Sequence, residues 1–96
     1  MKKLRQGYLN RSKLPTSESY FSKRGFVLEG RSDWKKTKCP FHDDFRPSLC
    51  INLKQGGRFK CHACGASGRD IIAFHQKHRD MSFIEAVKDL GAWEVK

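Results

Sequence analysis

The sequence has no unbroken apolar run of about 18 residues, which excludes a membrane-spanning helix. No apolar stretch follows the basic N-terminus, so the sequence carries no sign of a secretory signal. Internal repeats and low-complexity tracts are also missing. Length excludes more. Ninety-six residues cannot hold a Rossmann domain with a substrate domain, a kinase or a TIM barrel, and they leave room for one core. Apolar side chains are few for that core, at 38% of the chain. At roughly 1.5 kcal/mol of ordering entropy per residue, a domain this small nets near zero stability without a covalent or metal staple. Acidic residues are the other scarce class, ten against twenty Lys and Arg, for a net charge of +10. Residues 1–38 carry eleven basic and three acidic side chains, residues 39–96 nine and seven. No basic amphipathic helix is visible, so the imbalance points to nucleic acid before a membrane surface.

What is present is a cysteine pattern. The four cysteines are Cys39, Cys50, Cys61 and Cys64. In a reducing, cytosolic compartment metal is a better first expectation for them than paired disulfides. Cys39-Pro-Phe-His42 and Cys61-His-Ala-Cys64 form two knuckles, in each of which a two-residue spacer lets a tight turn aim both side chains at one ion. Three thiolates and one imidazole complete a tetrahedral shell. That shell leaves no position for a reactive water, so the expected cofactor is one structural Zn²⁺. Such binding contributes about 10–16 kcal/mol to folding and supplies the missing staple.

Competing readings of these residues are weaker. A redox C-x-x-C needs a βαβ setting. A zinc deaminase needs H-x-E and a Pro-Cys-x-x-Cys pair, whereas Asp43 and Asp44 follow His42 and Lys60 precedes Cys61. A two-Cys, two-His finger is disfavoured because His75 and His78 are too close and the cysteine pair already has partners. Cys50 reads as a half-buried strand residue in preference to an alternative ligand, and His62 as a surface residue of the second knuckle.

Along the chain, residues 1–15 read as a flexible basic arm. Thr16 or Ser17 caps a short helix over 18–24 that Gly25 ends. Residues 26–28 suggest a strand, 30–33 a polar turn, and 34–38 a lysine-rich lead into the first cysteine. Alternation over 48–53 and 58–61 around Gln55-Gly56-Gly57 predicts a β-hairpin with Leu49, Ile51 and Leu53 on one face, Ser48, Cys50 and Asn52 on the other, and Phe59 opposed to Arg58 and Lys60 on the return strand. Two helices follow. The first spans 70–78 and the second opens on the capping box Ser82-Phe-Ile-Glu85, with an apolar stripe of Phe83, Ala86, Val87 and Leu90, a staple at Met81 and a stop at Gly91. His75 and His78 share a helical face with no evident partner.

Cys39-Pro-Phe-His42-Asp-Asp, Pro47-Ser48, Ile51-Asn52, Gly57-x-Phe59-x-Cys61-x-x-Cys64-Gly65, Gly68-x-Asp70-Ile71-x-x-Phe74 and Ser82-Phe83-x-Glu85-Ala86-Val87-x-x-Leu90 together resemble the Cys-His-Cys-Cys (CHC2-type) zinc-binding domain of bacterial, DnaG-type DNA primases. The matching stretch runs from about residue 37 to 91. The resemblance implies an α+β zinc-bound domain over 16–96, a zinc ribbon with an antiparallel sheet and flanking C-terminal helices. In that family the domain recognises single-stranded template and positions it for a separate polymerase domain. The family's catalytic core has no counterpart before Lys96, so no catalytic residue is assigned. The implied function is a non-catalytic DNA-binding module of a replication-priming system in a bacterial or phage-infected cytoplasm. Its expected partners are single-stranded DNA and a separate primase, polymerase or helicase, with no membrane or small-molecule substrate. A stand-alone copy resembles those encoded by phages and other mobile elements. The alternative is an adaptor that docks on a helicase or polymerase and attracts DNA only non-specifically.

Single strands are held by cations on the phosphates and aromatic faces under the bases. Trp34 is the stacking candidate because charge flanks it, whereas Phe41, Phe59 and Phe74 read as core. Lys36, Lys38, Arg46, Asn52, Arg58, Lys60 and Arg69 are the polar contact candidates.

Overall fold

The computed structural model describes residues 7–41 and 47–95. Its centre is a four-stranded antiparallel sheet of β2 (Trp34–Thr37), β3 (Leu49–Asn52), β4 (Arg58–Cys61) and β5 (Ser67–Gly68), in that spatial order. The register sorts side chains into two faces, because successive residues of a strand point oppositely. Lys35, Ile51 and Phe59 form one inward row, and Thr37, Leu49 and Cys61 the next. Leu49, Ile51, Phe59 and Cys61 are all buried. The outward rows are Trp34, Asn52, Arg58 and Lys36, Cys50, Lys60, Ser67.

Helices cover the inward face. Helix α1 (Ser17–Lys23) starts where the Thr16 hydroxyl accepts from the Ser19 N–H, and it delivers Tyr20 and Phe21 to the core. Helix α2 (Ile71–Arg79) is capped by Asp70, whose carboxylate accepts from the Ala73 N–H. Phe74 of α2 is the hub. Its ring meets Phe21 at 4.8 Å, Phe59 at 5.1 Å and Phe41 at 5.3 Å between centroids, within the range where aromatic pairs add to plain burial. Gly57 lets α2 come close. It sits at φ +89°, and a Cβ there would lie 2.5 Å from the Ile71 Cγ2.

Helix α3 (Phe83–Asp89) opens on the complete capping box, with both the Ser82 and Glu85 bonds formed. Ala86 and Val87 join Ile72 and Ala92 in a second buried cluster, and Met81, Leu9 and Trp93 pack against it. Two strands, β1 (Gly7–Leu9) and β6 (Trp93–Val95), close the chain as an antiparallel ribbon, and Lys13 pairs with Glu94 beside it.

Four expectations change. Residues 7–15, read as part of a flexible arm, contain β1 and a 3-10 turn at Arg11–Lys13; the pairing partner that orders them lies at the other end of the chain. Residues 26–28 are not a strand. Gly25 at φ +84° folds the chain back so that the Phe26 N–H donates to the Phe21 carbonyl and Phe26 packs on the core. The lysine-rich lead at 34–37 is the edge strand β2, and a charged edge of this kind resists pairing with other chains. Phe83 does not join the apolar stripe and is 46% exposed, because the helix buries the side of Ala86 and Val87.

Candidate metal centre and basic sheet face

Cys61 ends β4 on the buried face, and the chain then turns back on itself. The Cys61 N–H donates to the Ala66 carbonyl at 2.7 Å, the Gly65 N–H to the Cys61 carbonyl at 3.0 Å, and the Cys64 N–H to the Cys61 sulfur at 3.4 Å. In the first knuckle the Phe41 N–H donates to the Cys39 sulfur at 3.4 Å. The hairpin between them brings the two knuckles together, so that the sulfurs of Cys39, Cys61 and Cys64 all lie within 4.8 Å of one another, with Cys39 and Cys64 3.8 Å apart. A tetrahedral zinc with bonds of about 2.3 Å sets its sulfurs about 3.8 Å apart, so the cluster fits that ion.

The electrostatics call for a cation. Burial pushes the Cys39 thiol up to about 12. At Cys61 burial also opposes ionisation, but the Ser48 hydroxyl and the backbone N–H groups of Cys64 and Ala63 outweigh it and bring the thiol down to about 6. A bound divalent ion deprotonates coordinating thiols outright and supplies the charge that holds Cys39 as thiolate. His42, the expected fourth ligand, lies outside the described residues, as does Arg46. Cys50 points away from the cluster, on the outward row between Lys36 and Lys60.

The outward face gathers much of the remaining set. Trp34 is 43% exposed, and Lys36, Arg58, Lys60 and Arg69 are exposed. Trp34, Arg58, Lys60 and Arg69 line one depression of about 590 Å³. Trp34 and Lys60 also line a second of about 310 Å³ with Cys50 and His62. Two candidates fall elsewhere. Asn52 is 5% exposed, and its Oδ1 accepts from the Lys54 and Gln55 N–H groups, so it serves the turn and offers nothing to a ligand. Lys38 lines a separate groove with Phe26, Pro40 and Pro47.

One arrangement escaped sequence reasoning. His75, fully buried on α2, places Nδ1 2.7 Å from the Tyr20 hydroxyl and Nε2 2.6 Å from Asp89 Oδ2. Its partners stand 55 residues before it and 14 after it, on α1 and α3, beyond the reach of a local pattern. A carboxylate only accepts, so Nε2–H donates to Asp89, and in the neutral ring Nδ1 accepts from the Tyr20 O–H. The contact ties three helices together.

Two knuckles whose thiolates converge beside a small antiparallel sheet define a zinc ribbon. Residues 23–94 match the CHC2 zinc finger family, and the chain belongs to it. Zinc is therefore its cofactor. The chain is 44% identical over 60 residues to a DNA primase of Mycolicibacterium smegmatis, covering 62% of this chain and 9% of that protein. It is 48% identical over 64 residues to a DNA primase of Mycoplasma genitalium, covering 67% and 10%. A Gene 58 protein of Mycobacterium phage D29 is 41% identical over 56 residues, covering 58% of this chain and 42% of the phage protein. The crystal structure of the Aquifex aeolicus primase (zinc binding and RNA polymerase domains) superposes with a TM-score of 0.68 at 32% identity, over 80% of this chain and 18% of that one. The matched region is thus about a tenth of the primases' length and under half of the phage protein's. Among the described residues no helix is long and apolar enough to cross a membrane.

Proposed function

We propose that this chain is a non-catalytic module of a replication-priming system that holds single-stranded template DNA on the outward face of its sheet. The reading is carried by that face. Across β2, β3 and β4 it presents Trp34, Lys36, Arg58 and Lys60, and the one acidic side chain in register with them among the described residues is Glu29, bridged to Lys36 at the outer edge. Phosphates meet cations there, and bases meet an exposed indole. Zinc, held by Cys39, Cys61, Cys64 and His42, does no chemistry on the DNA. It locks the end of β4 and the strand lead at Cys39, and so keeps the platform in shape to bind. The relatives named DNA primases support the priming role, and the solved primase relative comprises zinc-binding and RNA polymerase domains. Polymerisation would then fall to a separate primase or polymerase, with a helicase as the other candidate partner, in the cytoplasm of a bacterial or phage-infected cell. The phage relative favours a mobile-element origin.

The test is affinity for single- and double-stranded oligonucleotides across a salt series. Single strands should bind more tightly, and log K should fall steeply with log salt, by about 0.7 per phosphate contact. A flat response, or no binding below millimolar, contradicts the reading.

One observation favours the adaptor alternative: Phe83 and Ile84, adjacent at the start of α3, are 46% and 45% exposed. In that reading the ribbon docks on a protein and the basic N-terminal residues supply all DNA attraction. Truncation of residues 1–6 separates the two, because it removes basic charge and leaves β1 in place. Retained single-strand preference supports the template reader, and loss of all DNA binding supports the adaptor.

A further inference from the structure

The larger depression on the outward face is built for more than phosphate. Trp34 and Arg58 sit in the same cross-strand row, on either side of Asn52. Neighbouring strands lie about 4.8 Å apart, so the indole and the guanidinium start roughly 10 Å from each other. Asn52 does not fill the interval, because its side chain turns in to cap the 3-10 turn. The gap is therefore open to a planar group. Arg69, the residue after β5, lines the same depression together with Ser67.

The lining is rich in donors. Arg58, Arg69 and Lys60 are all donors with no acceptor, and no carboxylate lines the depression. Among the described residues none of the three has an ion-pair partner, so their N–H groups are free for a ligand. A ligand edge turned toward these three must offer acceptors, while Gln55 and Ser67 at the same depression can also accept. Among the bases, guanine presents two adjacent acceptors, N7 and O6, which match a guanidinium fork. On the same edge adenine and cytosine would bring an amino donor against these cations, and thymine one carbonyl beside a methyl group; cytosine turned to its O2/N3 edge is the competitor for the fork, which the dC oligomer tests.

Resting on the reading of this face as a single-strand platform, we propose that the depression is a guanine-preferring base subsite. Trp34 supplies the stacking surface, and Arg58 and Arg69 address the N7/O6 edge. Lys60, shared with the neighbouring depression, holds the phosphate between this base and the next one, which lies toward Cys50 and His62.

The experiment uses the zinc-loaded full chain and dye-labelled dT 12-mers carrying dG, dA, dC or dT at one central position, read by fluorescence anisotropy. The dG oligomer should bind about tenfold more tightly than the others, the order one bidentate pair gives. Replacing that dG with 7-deazaguanine, which lacks N7, should remove most of the preference. Arg58→Lys and Arg69→Lys keep the charge and lose the fork. Each should lose more affinity for the dG oligomer than for all-dT, so that the ratio between the two falls toward one, with zinc content unchanged as the check on folding. Equal binding of all four oligomers, or a preference that survives 7-deazaguanine or both lysine variants, overturns the subsite and leaves a simple phosphate clamp. Failure of every oligomer to bind overturns the platform itself, a distinguishable result.

Discussion

His75 Nε2, fully buried on α2, lies 2.6 Å from Asp89 Oδ2 on α3, whose side chain is 45% exposed. The hydrogen bond from His75 holds the Asp89 carboxyl below the usual carboxylate range, with Arg79 and Arg24 adding to the effect. A carboxyl depressed in the folded state contributes stability above its unfolded value of about 3.9 and loses it as pH falls through the lower folded value. The melting temperature of the native chain should therefore exceed that of Asp89→Asn at pH 7, and the gap should close as pH drops below about 4. A constant gap would mean that the Asp89 charge adds nothing to the bond. His75→Ala should cost more, about 1–3 kcal/mol, because it leaves the buried Tyr20 hydroxyl without its partner.

Cys50 and Cys61 sit on neighbouring strands but face opposite sides of the sheet. Cys50→Ser should keep one zinc per chain and an unchanged melting temperature, whereas Cys61→Ser should lose the metal and unfold the ribbon. Metal analysis after gel filtration distinguishes the two. Loss of zinc from Cys50→Ser would move the site.

Lys36 and Lys60 flank Cys50 in one outward row. If both contact phosphate, the double variant Lys36→Gln, Lys60→Gln should weaken single-strand binding across all sequences. The slope of log K against log salt should fall by about 0.7 per lost contact. Lys54→Gln, outside both depressions on that face, should leave the slope alone.

Gly57 and Gly25 both hold positive φ, but only Gly57 is crowded, since a Cβ added there would meet Ile71 at 2.5 Å and Ser17 at 3.3 Å. Gly25→Ala should cost only the left-handed backbone penalty, about 1–2 kcal/mol. Gly57→Ala should cost that and an overpacking term of about 1–3 kcal/mol more. Equal losses in urea denaturation would show that α2 gives way freely.

Local signals were the legible ones. The hairpin, the Ser82–Glu85 box and the two cysteine knuckles each rest on residues within a few positions of one another, where spacing alone fixes geometry. Strand β1 was illegible because Gly7, Tyr8 and Leu9 pair with Glu94 and its neighbours across the whole chain. Strand β2 was masked by its lysines, which are normal for an edge. Asn52 misled for a different reason. Alternation put it outward, but a turn that needs an acceptor recruited its side chain.

The central claim is that zinc on Cys39, His42, Cys61 and Cys64 holds the sheet in shape. The direct measurement is metal stoichiometry followed by circular dichroism during chelation at pH 7, with a cobalt-substituted sample for the ligand set. The account predicts one zinc per chain, a cobalt spectrum of three sulfurs and one nitrogen, and loss of the ordered sheet when the metal is withdrawn. A chain that purifies without stoichiometric metal, or that keeps its full structure after chelation, would contradict it.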